Sequence, residues 1–270
     1  MAGDSTAAPR VVLPFKDLAS AKSRLVEVPP ALRARIAQQM LLHTVRTWSA
    51  TGAEVVVVSA SPGSAGFLAS NGLHPLMLPD PGEGLNAAFR AGAVNAPTGQ
   101  LVVASMADLP AITDTELRTV LAECAAPVGR WFVPDAEGTG TTLLAARGMA
   151  LDPLFGKDSA ARHRESGATE LAAPAGLRRD VDTVGELAEA AAGVGLAPEL
   201  AALLEDGRPV RQQTGVVAQV TGDGVRLLLD DGTAVTAGAA AVPPDFPRPH
   251  PGQRVQLARA GDGTIRQLWP

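Results

Sequence analysis

Through its first 200 residues the chain alternates short, nearly unbroken aliphatic runs with stretches whose apolar residues recur at helical spacing. Val11, Val12, Leu13, Pro14 and Phe15 include no polar position, which is the pattern of a strand buried on both faces. Leu32, Ile36, Met40, Val45 and Trp48 then recur at the spacing of a helix and lead to a second buried strand, Glu54-Val55-Val56-Val57-Val58-Ser59. The same alternation places helices at about 64–70, 85–94 and 113–124, and strands at about 75–78, 101–104 and 131–133. Strand and helix in turn over this length predict an α/β fold, a doubly wound and mostly parallel sheet with crossover helices.

The texture changes past Leu204. Asp206-Gly207-Arg208-Pro209 is turn material, and the valine-rich runs that follow are separated by Gly222-Asp223-Gly224, Asp231-Gly232 and Gly261-Asp262-Gly263. Candidate strands at 215–220, 225–229, 234–237, 254–258 and 264–268 are enough for a small five-stranded barrel, SH3-like or OB-like. The expected organisation is therefore an α/β domain over 1–205, a linker at 206–209 and an all-β barrel of unassigned role over 210–270. The proline-rich stretch from Val242 to Pro251 is expected to be an extended loop of that barrel, with a docking ligand as the alternative.

Charge narrows the function classes. Net charge is -5 with the two signs interspersed, so bulk electrostatics recruit neither nucleic acid nor anionic lipid. From residue 205 onward seven acidic residues face seven arginines, and only Phe246 and Trp269 could stack bases, which argues against a nucleic-acid-binding barrel. The single cysteine, Cys124, ends an amphipathic helical run and reads as a small buried hydrophobe; no disulfide or cysteine-rich metal site is open to it. The first residues form no long apolar stretch, so no leader or membrane span is expected and the expected address is cytoplasmic.

Three lysines stand against twenty arginines, and two of the three, Lys16 and Lys22, lie just past the first strand in Pro14-Phe15-Lys16-Asp17-Leu18-Ala19-Ser20-Ala21-Lys22-Ser23-Arg24-Leu25. Compact ammonium groups at a strand-to-loop junction suit a polyphosphate; chance clustering of solvated side chains is the alternative. The other strand ends carry polar clusters too. Gly82-Glu83-Gly84-Leu85-Asn86 is a glycine turn opening a helix whose amides can face a nucleotide. Asp108, in Ala107-Asp108-Leu109-Pro110, leaves an apolar strand where a metal ligand would, or where a loop or cap aspartate would. Gly138-Thr139-Gly140-Thr141-Thr142 combines close backbone approach with hydroxyls and suits an anion, against a plain hairpin turn. Phe155-Gly156-Lys157-Asp158-Ser159 opens a short helix in which Ser159 is a cap or a phosphate donor, and His163 reads as a structural or surface histidine. Asp180 and Asp182 alternate before a helix, so that with Asp108 they could share a divalent cation, magnesium rather than zinc.

From Val11 to about Ala190 these segments, in this order, resemble the 2-phospho-L-lactate/phosphoenolpyruvate guanylyltransferase family, which makes the activated three-carbon unit of the deazaflavin coenzyme F-420. The lysine segment and Ala107-Asp108-Leu109-Pro110 are shared with other GT-A-like nucleotidyltransferases, while Gly138-Thr139-Gly140-Thr141 and the Gly156-to-His163 piece narrow the likeness. The resemblance implies a GT-A-like, Rossmann-like nucleotidyltransferase domain. It implies Lys16, Lys22 and Arg24 along the GTP phosphates with Gly84, Asn86 and Asp108 also at GTP, Lys16, Lys22, Arg24 and Asp108 as the catalytic set, and Thr141, Gly156 and Ser159 at the phosphorylated acceptor. Magnesium would sit on Asp108 with Asp180, and Asp182 is the neighbouring carboxylate. The acceptor is expected to be phosphoenolpyruvate, with 2-phospho-L-lactate as the alternative and a downstream enzyme of the route as a candidate partner. A GT-A enzyme acting on molybdopterin or a sugar phosphate is the rival enzyme reading; a non-catalytic nucleotide-binding regulatory module is the rival from another class. The carboxyl-terminal barrel departs from the family pattern.

Overall fold

A computed structural model describes residues 7–15, 30–181, 186, 190, 196, 200–201, 211–242, 248–259 and 265–269. The chain divides into two compact units, Met1–Leu200 and Ala201–Pro270. In the first unit, β1 (Arg10–Phe15), α1 (Pro30–Ala50), β2 (Glu54–Ser59), α2 (Pro62–Ser70), β3 (Leu76–Pro79), α3 (Leu85–Ala93), β4 (Val102–Ser105) and α4 (Asp114–Glu123) follow the predicted alternation. They are succeeded by β5 (Gly129–Pro134), β6 (Thr141–Arg147), α5 (Ser159–Glu165), β7 (Thr169–Glu170) and α6 (Ala175–Arg178).

The seven strands form one sheet in the order β3-β2-β1-β4-β6-β5-β7. Pairings among β3, β2, β1 and β4 are parallel, as is β5 with β7, whereas β6 runs antiparallel to both β4 and β5. The sheet is thus mostly parallel, as the alternation predicts, with one reversed strand inserted through the hairpin from β5. Successive strand residues face opposite sides, and both sides are covered. Val11, Leu13, Val57 and Val103 pack with Leu41, Val45 and Trp48 of α1 and Leu117 and Val120 of α4. Val12, Val56, Ala104, Phe132 and Leu144 pack on the other face with Ala88 and Phe89 of α3, Phe155 and Ala160. Burial on both faces is why these strands read as unbroken aliphatic runs. Gly92 lets α3 lie close on β1: a Cβ there would fall 2.2 Å from Val12 Cγ1.

α4 opens with a capping box, in which Thr113 Oγ1 accepts from the Glu116 N–H at 3.2 Å and Glu116 Oε2 accepts from the Thr113 N–H at 2.9 Å. Just past its end Cys124 is buried, its Sγ donating to Val120 O, and burial pushes the thiol pKa up to about 12. It is the inert hydrophobe that its sequence context predicts.

The second unit contains β8 (Arg211–Thr221), β9 (Gly224–Leu229), β10 (Ala234–Gly238), β11 (Arg254–Arg259) and β12 (Ile265–Trp269), antiparallel in the order β10-β9-β8-β11-β12. Val217, Val225, Leu227, Leu229, Ala237, Val255, Leu257, Ile265 and Leu268 make its own core. β8 begins at Arg211, four residues before the predicted start, because its first residues pair with Ala258 and Arg259 of β11 rather than with β9. Among the described residues the ladders form an open row; part of the proline-rich stretch, 243–247, lies outside them.

Candidate functional site

Because β1 to β5 all run the same way, their carboxyl ends share one edge of the sheet, and the reversed β6 begins at that edge. Among the described residues, the clusters at 82–86, Asp108 and 138–142 lie at that edge by topology. Gly84 precedes α3 with φ +88°, a left-handed conformation that favours glycine, and no side chain caps the helix start it leaves. Gly82 donates its N–H to Asp80 Oδ1 at 2.9 Å. Asn86, expected at GTP, has a side chain bonded within the chain: its Nδ2 donates to Phe155 O at 3.1 Å and its Oδ1 accepts from the Phe155 N–H at 2.8 Å. Its side chain therefore clamps the segment that leads to Gly156, while Gly82 and Gly84 of the turn are exposed.

The Gly138-to-Thr142 segment is organised by Asp135, which sequence reasoning did not single out. Its Oδ1 and Oδ2 accept from the Thr139 and Gly140 N–H groups at 2.9 and 2.7 Å, and a Cβ on Gly140 would sit 2.2 Å from Oδ2. Those two amides are thus committed to a carboxylate of the chain, so the hairpin explanation holds for the glycines. Of the hydroxyls, Thr142 donates to Leu177 O at 2.6 Å, a structural bond between β6 and α6. Thr141, 7% exposed at the start of β6, is instead 2.9 Å from His163 Nδ1.

His163 is wholly buried, which removes the surface alternative and leaves the structural one. Its Nε2 accepts from the Leu154 N–H at 3.0 Å, and the ring lies 5.3 Å from Phe155 and 5.8 Å from Phe132. Burial pulls its pKa down to about 4, with Arg162 and Arg130 pushing the same way and Asp152 opposing them. Ser159 begins α5 and is buried, Gly156 holds φ +119°, and Lys157 is exposed while its carbonyl accepts from Arg162 Nη2 at 2.7 Å. The Ala160 N–H donates to Thr139 O at 3.0 Å, so the start of α5 is tied to the hairpin.

Residues 171–181 cross these strand ends. The Leu171 N–H donates to Phe132 O at 2.9 Å, Arg178 Nη2 donates to Asp135 O at 2.8 Å, and the Val181 N–H donates to Asp108 O at 3.3 Å. This last bond ties the backbone of the segment carrying Asp180 to that of Asp108; both residues are half-buried, with Oδ1 of Asp108 shielded from solvent. Lys16, Lys22, Arg24 and Asp182 lie outside the described residues. A separate cavity of about 640 Å³, bordered by Arg90, Gln100, Arg130, Met149 and Asp152, has none of the predicted site residues in its lining.

Residues 23–216 match the model of the MobA-like NTP transferase domain. A phosphoenolpyruvate guanylyltransferase of Geodermatophilus obscurus is 44% identical over 205 residues, spanning 72% of this chain and 93% of that protein. A second, from Thermomonospora curvata, is 44% identical over 202 residues, spanning 72% of this chain and 87% of that protein. A putative nucleotide-diphospho-sugar transferase from Desulfovibrio desulfuricans G20 superimposes with a TM-score of 0.57 at 17% identity, covering 73% of this chain and 94% of that one, a likeness of fold. The family match ends within β8, so most of the second unit lies beyond it.

Proposed function

The chain belongs to the phosphoenolpyruvate guanylyltransferase family of MobA-like NTP transferases, and from that premise we propose that it joins GMP from GTP to the phosphate of phosphoenolpyruvate. Pyrophosphate leaves and enolpyruvyl-2-diphospho-5'-guanosine is formed, a step of coenzyme F-420 biosynthesis. A phosphate monoester is largely a dianion at neutral pH, its second ionisation lying near pH 6, so the attacking oxygen needs no general base. The neutral, doubly hydrogen-bonded state of His163 accords with this, since neither ring nitrogen is open to receive a proton.

The difficulty of the reaction is bringing two anions together, and the residues answer it with charge and alignment. The observation that supports the site assignment is the Val181-to-Asp108 hydrogen bond, which ties the segment of Asp180 to that of Asp108. Asp108 and Asp180, with Asp182 as a neighbour in sequence, would hold magnesium, which when bound neutralises charge on the reacting phosphates. Lys16, Lys22 and Arg24 would lie along the GTP phosphates, where point-charge ammonium groups suit crowded oxygens. The turn at Gly84 and the uncapped start of α3 would present backbone amides to the nucleotide. Thr141, Gly156 and Ser159 would receive the acceptor.

An acceptor screen tests this reading. Purified protein is given GTP, magnesium and, in turn, phosphoenolpyruvate, 2-phospho-L-lactate, a sugar phosphate and molybdopterin, and products are identified by mass. Phosphoenolpyruvate should give the guanylylated product with stoichiometric pyrophosphate; transfer to one of the other acceptors only would refute it. Asp108→Asn should stay folded yet lose more than about 100-fold in turnover, since an amide is a poorer ligand for a hard cation. Near wild-type turnover by that variant at limiting magnesium would refute the assignment of Asp108.

A further inference from the structure

His163 and Thr141 form a pair whose proton positions follow from geometry. The Leu154 N–H can only donate, and it points at Nε2 from 3.0 Å, so Nε2 carries the lone pair. The ring is wholly buried between Phe155 and Phe132, where a neutral imidazole is favoured. Its single proton is then on Nδ1, 2.9 Å from Thr141 Oγ1, so the imidazole donates and the hydroxyl accepts. The hydroxyl's own proton needs a different acceptor, and none is found for it among the described residues. Thr141 stands at the strand-end edge, with Gly156 and Ser159 brought to it by the bond from Ala160 N–H to Thr139 O.

We propose that His163 is a positioning residue: donating from Nδ1, it fixes the Thr141 hydroxyl as a hydrogen-bond donor toward an anionic group, phosphate or carboxylate, of the phosphorylated acid acceptor. The inference rests on the acceptor reading given above. Without the Nδ1–H donor the hydroxyl is free to turn a lone pair toward the incoming anion, which is the wrong polarity. A hydrogen bond to a charged group is among the stronger ones, so losing its orientation should weaken acceptor binding by about tenfold or more.

The test is a double-mutant cycle on the full chain, read as separate KM values for acceptor and for GTP. Thr141→Val and His163→Leu should each raise the acceptor KM by about tenfold or more, leave the GTP KM within about twofold, and show no further loss when combined. Thr141→Ser, which keeps the hydroxyl, and His163→Asn, whose side-chain amide can take the place of the Nδ1 donor, should stay near wild type. Full additivity, or equal effects on both substrates, would overturn the proposal. Independently of activity, long-range proton–nitrogen NMR on histidine-labelled wild-type protein should show Nδ1 protonated and Nε2 bare; the opposite tautomer would overturn it even if His163→Leu fails to fold. Wild-type protein that transfers nothing to phosphoenolpyruvate would count against the proposed function, while the tautomer measurement still decides the pair.

Discussion

Gly92→Ala should destabilise the first unit, whereas Gly66→Ala, the same substitution in another helix, should stabilise it. At Gly92 the new Cβ would fall 2.2 Å from Val12 Cγ1 and 2.9 Å from Cγ2, against an ordinary carbon–carbon separation of about 3.5–4.0 Å. Val12 has little room to move: it is wholly buried in β1, in register between Val56 of β2 and Ala104 of β4. α3 must therefore ride up, and overpacking of this kind costs about 1–3 kcal/mol. The gain in helix propensity returns about 1 kcal/mol, so a net loss of roughly 1–2 kcal/mol is expected in the upper part of that range. At Gly66, inside α2, no atom lies within 4 Å of the added Cβ, and only the propensity gain of about 0.5–1 kcal/mol remains. Urea unfolding followed by tryptophan fluorescence reads this unit through Trp48 and Trp131, both buried in its core. The midpoint should fall for Gly92→Ala and rise for Gly66→Ala; two shifts of the same sign would refute the close-packing argument.

Two further outcomes follow from the same observations. The folded pKa of His163, about 4, is below the unfolded value of 6.5, so between these limits the unfolded chain binds the extra proton and stability is lost as pH falls; the full effect is about 3 kcal/mol, of which about 2 is gone by pH 5. Urea midpoints at neutral pH and near pH 5 should diverge more for wild type than for His163→Asn, and equal slopes would count against a buried neutral ring. A chain truncated after Glu205 should retain guanylyl transfer within about tenfold, roughly 1.4 kcal/mol in barrier, since every proposed site residue precedes that point and the second sheet has its own core; a folded, soluble but inactive truncation would refute this.

The strands were legible because a sheet covered on both faces writes itself as uninterrupted Val and Leu, as in Val55 to Val58. The reversal of β6 was not, since direction leaves no trace in periodicity, and β7, two exposed residues beside β5, has no apolar pattern to read. At the site, sequence spacing located the strand-end clusters but not the use of each side chain. Asp135 lay in view beside the glycines, and an aspartate four and five residues before two backbone amides is a local signal that could have been found. The partners of Asn86, Thr141 and Thr142 are 69, 22 and 35 residues away, so nothing local distinguishes the structural hydroxyl of Thr142 from that of Thr141.

Those distant partners converge on one short segment. The Leu154 N–H is held by His163, and both backbone polar groups of the next residue, Phe155, are held by Asn86 at the start of α3. In the proposed reaction α3 begins at the nucleotide and Phe155 leads into Gly156 at the acceptor, so the side chain of Asn86 bridges the two proposed binding segments. In-line attack by one phosphate on another depends on their relative placement, and a misplacement of about 1 Å can cost on the order of 100-fold in rate. A two-point amide clamp across 69 residues of sequence fixes that relation with neutral groups, adding no charge to a site where two anions must meet.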